Sequence, residues 1–183
     1  MKIYLTLLLL SSLLYSSPDE IPQIVLDAIK NTECLKMSGV SESNFIRINR
    51  KKDVKKAKKH GHKLFRKHLI LCSSPEECSV EANKLLKLGI KNIDLGPYQI
   101  NYYYQNNRWK NEDSLKKYFI DEDAEERARE ILWDLISRHG YSWQSIARYH
   151  HYNPKNKKRN RQYYSHLYEY VYGMSVPQSL LTE

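Results

Sequence analysis

Residues 21–37 read IPQIVLDAIKNTECLKM, and this stretch predicts the first helix of a mainly α-helical chain. Its apolar side chains recur at helical spacing. They are Ile24, Val25, Ala28 and Ile29. Val25, Ile29 and Glu33 are spaced four residues apart, so they share one face of the helix. Periodicity leaves two environments open for Glu33, because it can pack with this stripe or point to water from a frayed helix end.

A packed Glu33 would be chemically useful. Desolvation disfavours a charged carboxylate and raises its pKa. A carboxylic acid that stays protonated near neutral pH can serve as a general acid. Glu42 is the rival acid, but it follows Gly39 in a predicted loop, where solvent keeps a carboxylate ionised.

Local patterns predict the other elements of the chain. Residues 74–77 combine a capping box with a proline at the first helical position, and the helix that they begin stops at Gly89. Further helices are predicted over 121–139, from the N-cap Ser142 through Tyr149, and over 162–172. Residues 45–49 form a short extended piece. The fold class predicted from these patterns is mainly α.

Residues 1–17 have the pattern of a secretory signal, with Lys2, an apolar run to Leu10 and small residues before Pro18. The apolar run is too short to span a membrane. We therefore expect an exported, periplasmic protein with one domain over residues 18–183. Only one of the 30 Lys and Arg residues precedes Pro18, so 29 remain against 21 Asp and Glu, a formal charge of +8.

This positive charge favours anionic partners such as nucleic acid, a membrane surface or an acidic polymer. It is densest in residues 50–68, RKKDVKKAKKHGHKLFRKH, where apolar residues are sparse. We interpret this stretch as a helical or partly mobile surface excursion. A solvated charged face explains it most simply, and a peripheral contact with the membrane or the cell wall is the functional alternative.

The chain has three cysteines, Cys34, Cys72 and Cys78, so one thiol is left over if a disulfide forms. Cys72 and Cys78 flank a Ser-Ser-Pro turn and are the disulfide candidate. No metal site is expected, because no His or Cys spacing resembles a zinc site. The closest pairs are His60 with His62 and His150 with His151.

Fifteen tyrosines are a heavy load for a chain of this length. Tyrosine has a flat apolar face and a polar tip, so it can stack on a sugar ring while hydrogen-bonding hydroxyl groups. The same residue also lines damp protein cores, and it stacks on the bases of single-stranded nucleic acid. A nucleic-acid binder, however, would give Glu33 no special role.

Three segments in order resemble the signature segments of lytic transglycosylases. They are AIKNTEC at 28–34, NIDLGPYQIN at 92–101 and WQSIARYHH at 143–151. The similarity is to the soluble-lytic-transglycosylase domain, above all to the small specialised branch associated with secretion channels and other envelope machines, and it covers residues 21–173. It implies a lysozyme-like fold, α+β with minimal β structure, in a single domain with an active-site cleft.

Taken position by position, the resemblance makes Glu33 the catalytic acid and Tyr149 the residue that holds its carboxyl group by a hydrogen bond. The segment around Gln99 would border the cleft and contact the N-acetyl sugar. The substrate-binding residues implied are Gly96, Tyr98, Gln99, Ile100, Asn101, Ala147 and His150. The chain departs from the family pattern at Cys34, usually serine, and at Pro97 and Tyr98, usually leucine and methionine.

The implied activity is cleavage of peptidoglycan glycan strands at the β-1,4 bond between N-acetylmuramic acid and N-acetylglucosamine. One glutamic acid protonates the leaving oxygen and then takes the proton of the sugar's own C6 hydroxyl, which closes a 1,6-anhydro ring. Glycoside hydrolysis normally uses two carboxylates, and the three segments offer no well-placed second one.

Three alternatives stay open. The first is an inactive or weakly active peptidoglycan-binding scaffold of an envelope-spanning assembly such as a secretion system, and the second is a true muramidase on the same fold. The third, ranked last, is a cationic binder of nucleic acid or membrane. No cofactor is expected, and the peptidoglycan functions call for no nucleic-acid partner.

Overall fold

The computed structural model describes residue 18 and residues 21–35, 44–105, 109–110, 114–150 and 157–177. The predicted signal at 1–17 and the rival acid Glu42 lie outside the described residues. The helices are α1 Gln23–Leu35, α2 Lys51–Lys59, α3 Pro75–Lys87, α4 Asp121–His139, α5 Trp143–Ala147 and α6 Lys157–Tyr172. The strands are β1 Phe45–Ile48, β2 Leu69–Leu71, β3 Ile93–Leu95 and β4 Ile100–Asn101. Short 3-10 helices cover Tyr102–Tyr104 and Leu115–Phe119.

The mainly α prediction is confirmed at this coarse level, since helices dominate and the strands form one small antiparallel sheet. The chain divides into two compact units. We name Met1–Thr32 with Arg127–Glu183 the helical unit and Glu33–Glu126 the sheet unit. No helix in the described part of the chain has both the length and the apolar character needed to cross a bilayer.

Helix boundaries follow local sequence in most places. The helix predicted over 121–139 has those same bounds as α4. The last helix was predicted to begin at Gln162, but α6 begins at Lys157. The prediction was wrong because it assigned the basic residues before Gln162 to a loop, although lysine and arginine are good helix formers.

The helical unit contains an aromatic cluster around the half-buried Trp143. The Trp143 ring lies 5.9–6.1 Å, between centroids, from the rings of Tyr164, Tyr168 and Tyr172. Ser142 begins α5 by accepting a hydrogen bond from the backbone N–H of Ser145 at 3.1 Å, as the predicted N-cap should. These tyrosines of α6 therefore pack against α5 and one another, which is the structural role that the sequence left open.

The sheet unit is organised by a four-stranded sheet in the order β2-β1-β3-β4. Ile46 pairs with Leu95, and Leu95 pairs with Ile100, so one cross-strand row is apolar and buried. The neighbouring row pairs Arg47 with Asp94 and Asp94 with Asn101. Because directly opposed residues share a face of the sheet, register alone gathers three polar side chains into one line.

A disulfide joins Cys72 to Cys78, which confirms the predicted pair. Ser74 caps α3 as predicted, since its Oγ accepts a hydrogen bond from the backbone N–H of Glu77 at 3.2 Å. The predicted capping box is modified, because Glu77 Oε2 accepts from the backbone N–H of Ser73, at 2.7 Å. Cys34 lies in α1, and its side chain is outside the described part of the structure.

Candidate functional site

Glu33 lies near the C-terminal end of α1, and its side chain is buried. Only 1% of Glu33 is exposed, and Val25 and Ile29 on the same stripe are 3% and 0% exposed. The structure thus decides between the two environments that periodicity left open, because Glu33 packs inward. Burial of a carboxyl group disfavours its charged form, which is the condition that a general acid requires.

Asp94 of β3 is a second buried acid in the same unit. Its side chain is 13% exposed, and burial raises its pKa from 3.8 to about 6. Three neighbours oppose this rise by favouring the carboxylate: Arg47 by its charge, and Asn49 and Asn101 by hydrogen bonds. Glu33 lies close enough for its negative charge to raise the pKa of Asp94 further.

A compact hydrogen-bond network holds the Asp94 carboxylate in place. Asp94 Oδ1 accepts from Asn49 Nδ2 at 2.8 Å and from Asn101 Nδ2 at 2.6 Å. The same two amide groups donate to Asn92 Oδ1 at 3.2 and 2.9 Å. The Arg47 guanidinium lies 3.8 Å from Asp94 Oδ2, too far for a strong ion pair. The network fixes the carboxylate without neutralising it.

Asp94 belongs to the second of the three segments, so that segment brings a carboxyl group into electrostatic reach of Glu33. The sequence carried one usable indication, the apolar–polar–apolar pattern of Ile93-Asp94-Leu95, which sets Asp94 on the opposite face of a strand. Nothing in the sequence pairs that face with Arg47, Asn49 or Glu33, since these contacts depend on strand register and helix packing.

The turn between β3 and β4 is built on two left-handed residues. Gly96 has φ +68°. A Cβ at this position would lie 1.7 Å from the carbonyl oxygen of Tyr118, so only glycine fits. Gln99 has φ +47°, which is uncommon for a residue other than glycine. The backbone N–H and the Nε2 of Gln99 both donate to the Gly96 carbonyl oxygen, at 3.0 and 2.8 Å.

Gln99 is 8% exposed, and its remaining acceptor, Oε1, is buried without a hydrogen-bond donor among the described residues. A buried amide oxygen in this state costs free energy unless something donates to it. The tightly held Gln99 therefore offers one acceptor site that the fold itself does not use. An N–H or O–H group of a ligand is the type of partner that this site can take.

The other residues of this segment are mostly packed inside the sheet unit. Tyr98 is 1% exposed, and its hydroxyl donates to Glu125 Oε2 at 3.0 Å. Ile100 is 2% exposed, and Pro97 is buried. Asn101 is half-buried and bound to Asp94. Most of the predicted binding segment therefore shapes the turn. Gln99 and Asn101 are the members of this segment whose polar side chains follow β3, the strand that carries Asp94.

The third predicted segment belongs to the helical unit. Ala147 ends α5 and is 1% exposed. Tyr149 and His150 follow in a turn, and their backbone N–H groups donate to Ile146 and Ala147 at 3.0 and 3.2 Å. The ring of His150 stacks on Tyr163 with centroids 4.6 Å apart and planes 8° from parallel. The hydrogen bond expected between Tyr149 and Glu33 stays a prediction.

No protein-family model, no curated protein and no solved structure matches this chain. In the described part of the chain, no group of three or more His, Cys, Asp or Glu residues is arranged to hold a metal ion. The case for function therefore depends on the residues themselves: two buried carboxyl groups that interact, a polar network around one of them, and the strained Gln99 turn beside it.

Proposed function

We propose that this chain is an exported, periplasmic peptidoglycan lytic transglycosylase with a lysozyme-like fold and an active-site cleft. The observation that carries the proposal is the burial of Glu33, at 1% exposure, in electrostatic reach of Asp94. Burial removes the carboxyl group from water, and this favours its neutral form. A general acid must be neutral when substrate arrives, so a buried position suits Glu33 to that role.

The proposed reaction needs one acid that changes roles. Neutral Glu33 gives its proton to the leaving glycosidic oxygen as the bond to the anomeric carbon of N-acetylmuramic acid breaks. The resulting carboxylate takes the proton of the C6 hydroxyl, and that oxygen bonds the anomeric carbon to close the 1,6-anhydro ring. Glu33 is neutral again at the end, and no water is consumed. In this scheme Tyr149 orients Glu33.

Asp94 supports the first step through charge. Two nearby carboxyl groups resist ionising together, so an ionised Asp94 makes the proton on Glu33 harder to lose. Since the pKa of Asp94 is about 6, it is mostly ionised at neutral pH. Asp94 therefore acts through Glu33, by keeping that residue protonated until substrate binds. Gln99 Oε1 is the proposed acceptor for the N–H of the substrate acetamide.

Asp94 also favours a second candidate function, a muramidase that hydrolyses the same bond. Hydrolysis normally pairs a general acid with a second carboxylate that activates water. Asp94 is a largely buried carboxylate in electrostatic reach of Glu33, and with a pKa of about 6 it is mostly ionised at neutral pH. The two functions differ in product, because hydrolysis leaves reducing ends and the lyase reaction leaves 1,6-anhydro ends.

The decisive experiment is digestion of purified sacculi by the chain from Pro18 onward, with separation of the soluble muropeptides. We expect anhydro ends from the parent protein. The Glu33→Gln variant should lose activity by roughly 100- to 10,000-fold, the typical contribution of a general acid. Glu122→Gln is the matched control, because Glu122 lies exposed in the first turn of α4, and it should retain full activity.

The other outcomes separate the alternatives. Reducing ends that require both Glu33 and Asp94 would establish the muramidase. Binding to sacculi with no soluble product from any variant would identify the scaffold, for which an envelope-spanning assembly is the expected partner. Full activity of Glu33→Gln would refute the assignment of the acid, whichever product is formed.

A further inference from the structure

The net positive charge of this protein is concentrated in one stretch. Residues 50–68, named here the basic excursion, contain ten Lys and Arg and one Asp, a formal net charge of +9. The full chain has 30 Lys and Arg against 21 Asp and Glu, also +9. The remaining residues are therefore neutral as a group. The basic excursion, in the sheet unit, therefore carries a positive charge equal to the net charge of the whole chain, and an excess of this size attracts anionic partners.

The structure arranges this charge on an ordered surface. The basic excursion leaves the sheet after β1 and returns at β2, and α2 forms its first half. All six lysines of α2 are exposed; they are Lys51, Lys52, Lys55, Lys56, Lys58 and Lys59. Ala57 is the buried residue of this helix. Within the described residues, none of the six lysines forms an ion pair with a carboxylate.

A tether holds the middle of the basic excursion to the rest of the unit. The His62 ring, whose side chain is 5% exposed, hydrogen-bonds to the Glu81 carboxylate of α3. The His62 backbone N–H donates to the Ala57 carbonyl oxygen at 3.2 Å. These contacts fix the C-terminal end of α2, so the lysines form a defined face.

The second half of the basic excursion is a tight hairpin that displays an aromatic ring. Phe65 and Leu69 exchange backbone hydrogen bonds at 2.7 and 3.0 Å. Between them, Arg66 and Lys67 have φ +46° and +72°, so the backbone of two successive residues is in the unfavourable left-handed conformation. Phe65 is 39% exposed, and the Arg66 guanidinium lies 5.3 Å from its ring centroid. Strained backbone of this kind concentrates at binding sites.

We propose that the basic excursion is a docking surface for a membrane that contains anionic phospholipid. The lysines of α2 lie three and four residues apart and repel one another. A negatively charged lipid surface attracts all of them and thereby offsets this repulsion. The exposed Phe65 ring favours a lipid surface over a soluble polyanion as the partner. A bilayer interface accepts an aromatic ring beside basic side chains, with the ring toward the acyl chains and the charges at the headgroups.

This proposal is independent of the reaction at Glu33, since none of its residues belongs to the proposed site. Docking would hold an exported protein at the membrane face. The interaction is peripheral, and it combines two contributions, charge from α2 and the apolar contact of Phe65. Each contribution can be removed without disturbing a buried side chain.

The test is co-sedimentation of the chain from Pro18 onward with vesicles of phosphatidylcholine and phosphatidylglycerol, compared with phosphatidylcholine alone. We expect binding to the anionic vesicles that weakens as salt is raised. The triple variant Lys55→Gln, Lys56→Gln, Lys59→Gln should bind on the order of 100-fold more weakly. The matched control removes three exposed charges elsewhere in the unit, Lys87→Gln, Lys91→Gln and Lys110→Gln, and should bind like the parent protein.

Substitutions at Phe65 test the choice of lipid. Phe65→Ser should weaken binding roughly tenfold, and Phe65→Leu should largely retain it, because apolar contact is the property that matters. Equal losses in the two lysine triples, or no binding to anionic vesicles, would overturn the proposal. So would full binding by Phe65→Ser together with equally tight binding of a single-stranded oligonucleotide, since the surface would then recognise any polyanion.

Discussion

The sheet unit handles its two concentrations of charge in opposite ways. The acids Glu33 and Asp94 are buried, and Asp94 needs Asn49, Asn101 and Arg47 around it to remain largely ionised at neutral pH. The six lysines of α2 are exposed and have no such framework. Water and salt screen an exposed charge at little cost, whereas a buried charge must be solvated by the protein itself. Changes to the buried acids should therefore have large effects, and changes to the exposed lysines small ones.

The largest contrast should come from two glycines that share the left-handed conformation. Gly96→Ala adds a Cβ that meets the backbone carbonyl of Tyr118 at 1.7 Å. Gly61→Ala, in the basic excursion, has φ +84° but no atom within 4 Å of the new Cβ. We expect Gly96→Ala to lower the free energy of unfolding by about 3–5 kcal/mol, because conformational cost and overpacking add.

Gly61→Ala carries the conformational cost alone, and it should lower the free energy of unfolding by about 1–2 kcal/mol. Urea denaturation of both variants measures the difference. Equal losses would mean that the turn before Gln99 is not held against Tyr118 as described.

The second prediction concerns pH. Burial raises the pKa of Asp94 from 3.8 to about 6. Between these values the folded state holds a proton that the unfolded state has lost. Stability therefore falls as pH rises from about 4 to about 6, and the full change is on the order of 3 kcal/mol. Asp94→Asn cannot ionise but keeps an oxygen to accept from Asn49 and Asn101, so it should remove this slope.

Denaturant unfolding across pH 4 to 8 tests the Asp94 prediction, with Asp53→Asn of α2 as the matched control. The control should keep the slope of the parent protein. At pH 7, Asp94→Asn should be the more stable protein, since the cost of the buried charge is gone. A parent protein whose stability rises over this window would contradict the raised pKa.

The third prediction concerns the Cys72–Cys78 disulfide, which fixes the chain just after it returns from the basic excursion through β2. Its loop is short, with a sequence separation of 6. The loss of loop-closure entropy in the unfolded chain predicts a stabilisation of about 2 kcal/mol. The double variant Cys72→Ser, Cys78→Ser should lose this amount. Adding dithiothreitol should destabilise the parent protein similarly and leave the variant unchanged.

The smallest effect is expected on the exposed side of the comparison. Lys55→Glu replaces like-charge pairs with Lys51 and Lys59 by attractive ones at a spacing of four residues. We expect a gain of about 0.5–1 kcal/mol in the free energy of unfolding at low salt. Lys55→Gln should give about half of it, and high salt should abolish both gains. A loss of stability would mean that Lys55 has a favourable contact.

Much of the local structure could be predicted from the sequence. The bounds of α4, the caps at Ser74 and Ser142 and the Cys72–Cys78 pair all follow from patterns within a few residues. The stripe that carries Glu33 was also visible, because helical spacing depends on the next three or four residues only. These features need no knowledge of the rest of the chain.

The environment of Asp94 could not be predicted in the same way. Asp94 meets Arg47 and Asn49 only because β3 pairs with β1, and it meets Asn101 because the Gly96–Gln99 turn returns the chain as β4. A shift of one residue in that register would turn Asp94 to the other face. Strand register is set by the whole packed unit, so no local pattern contains it.

The sequence by itself thus determined most helix bounds, the caps at Ser74 and Ser142, the disulfide pair and the charge of the basic excursion, and it pointed to Glu33 as the candidate acid. Only the tertiary structure decided that Glu33 is buried, that Asp94 lies within electrostatic reach of it with a raised pKa, and that the lysines of α2 and the Phe65 ring are exposed. The physical reason is range. Periodicity and capping act over one helical turn, whereas solvation of a charge depends on every element that packs around it.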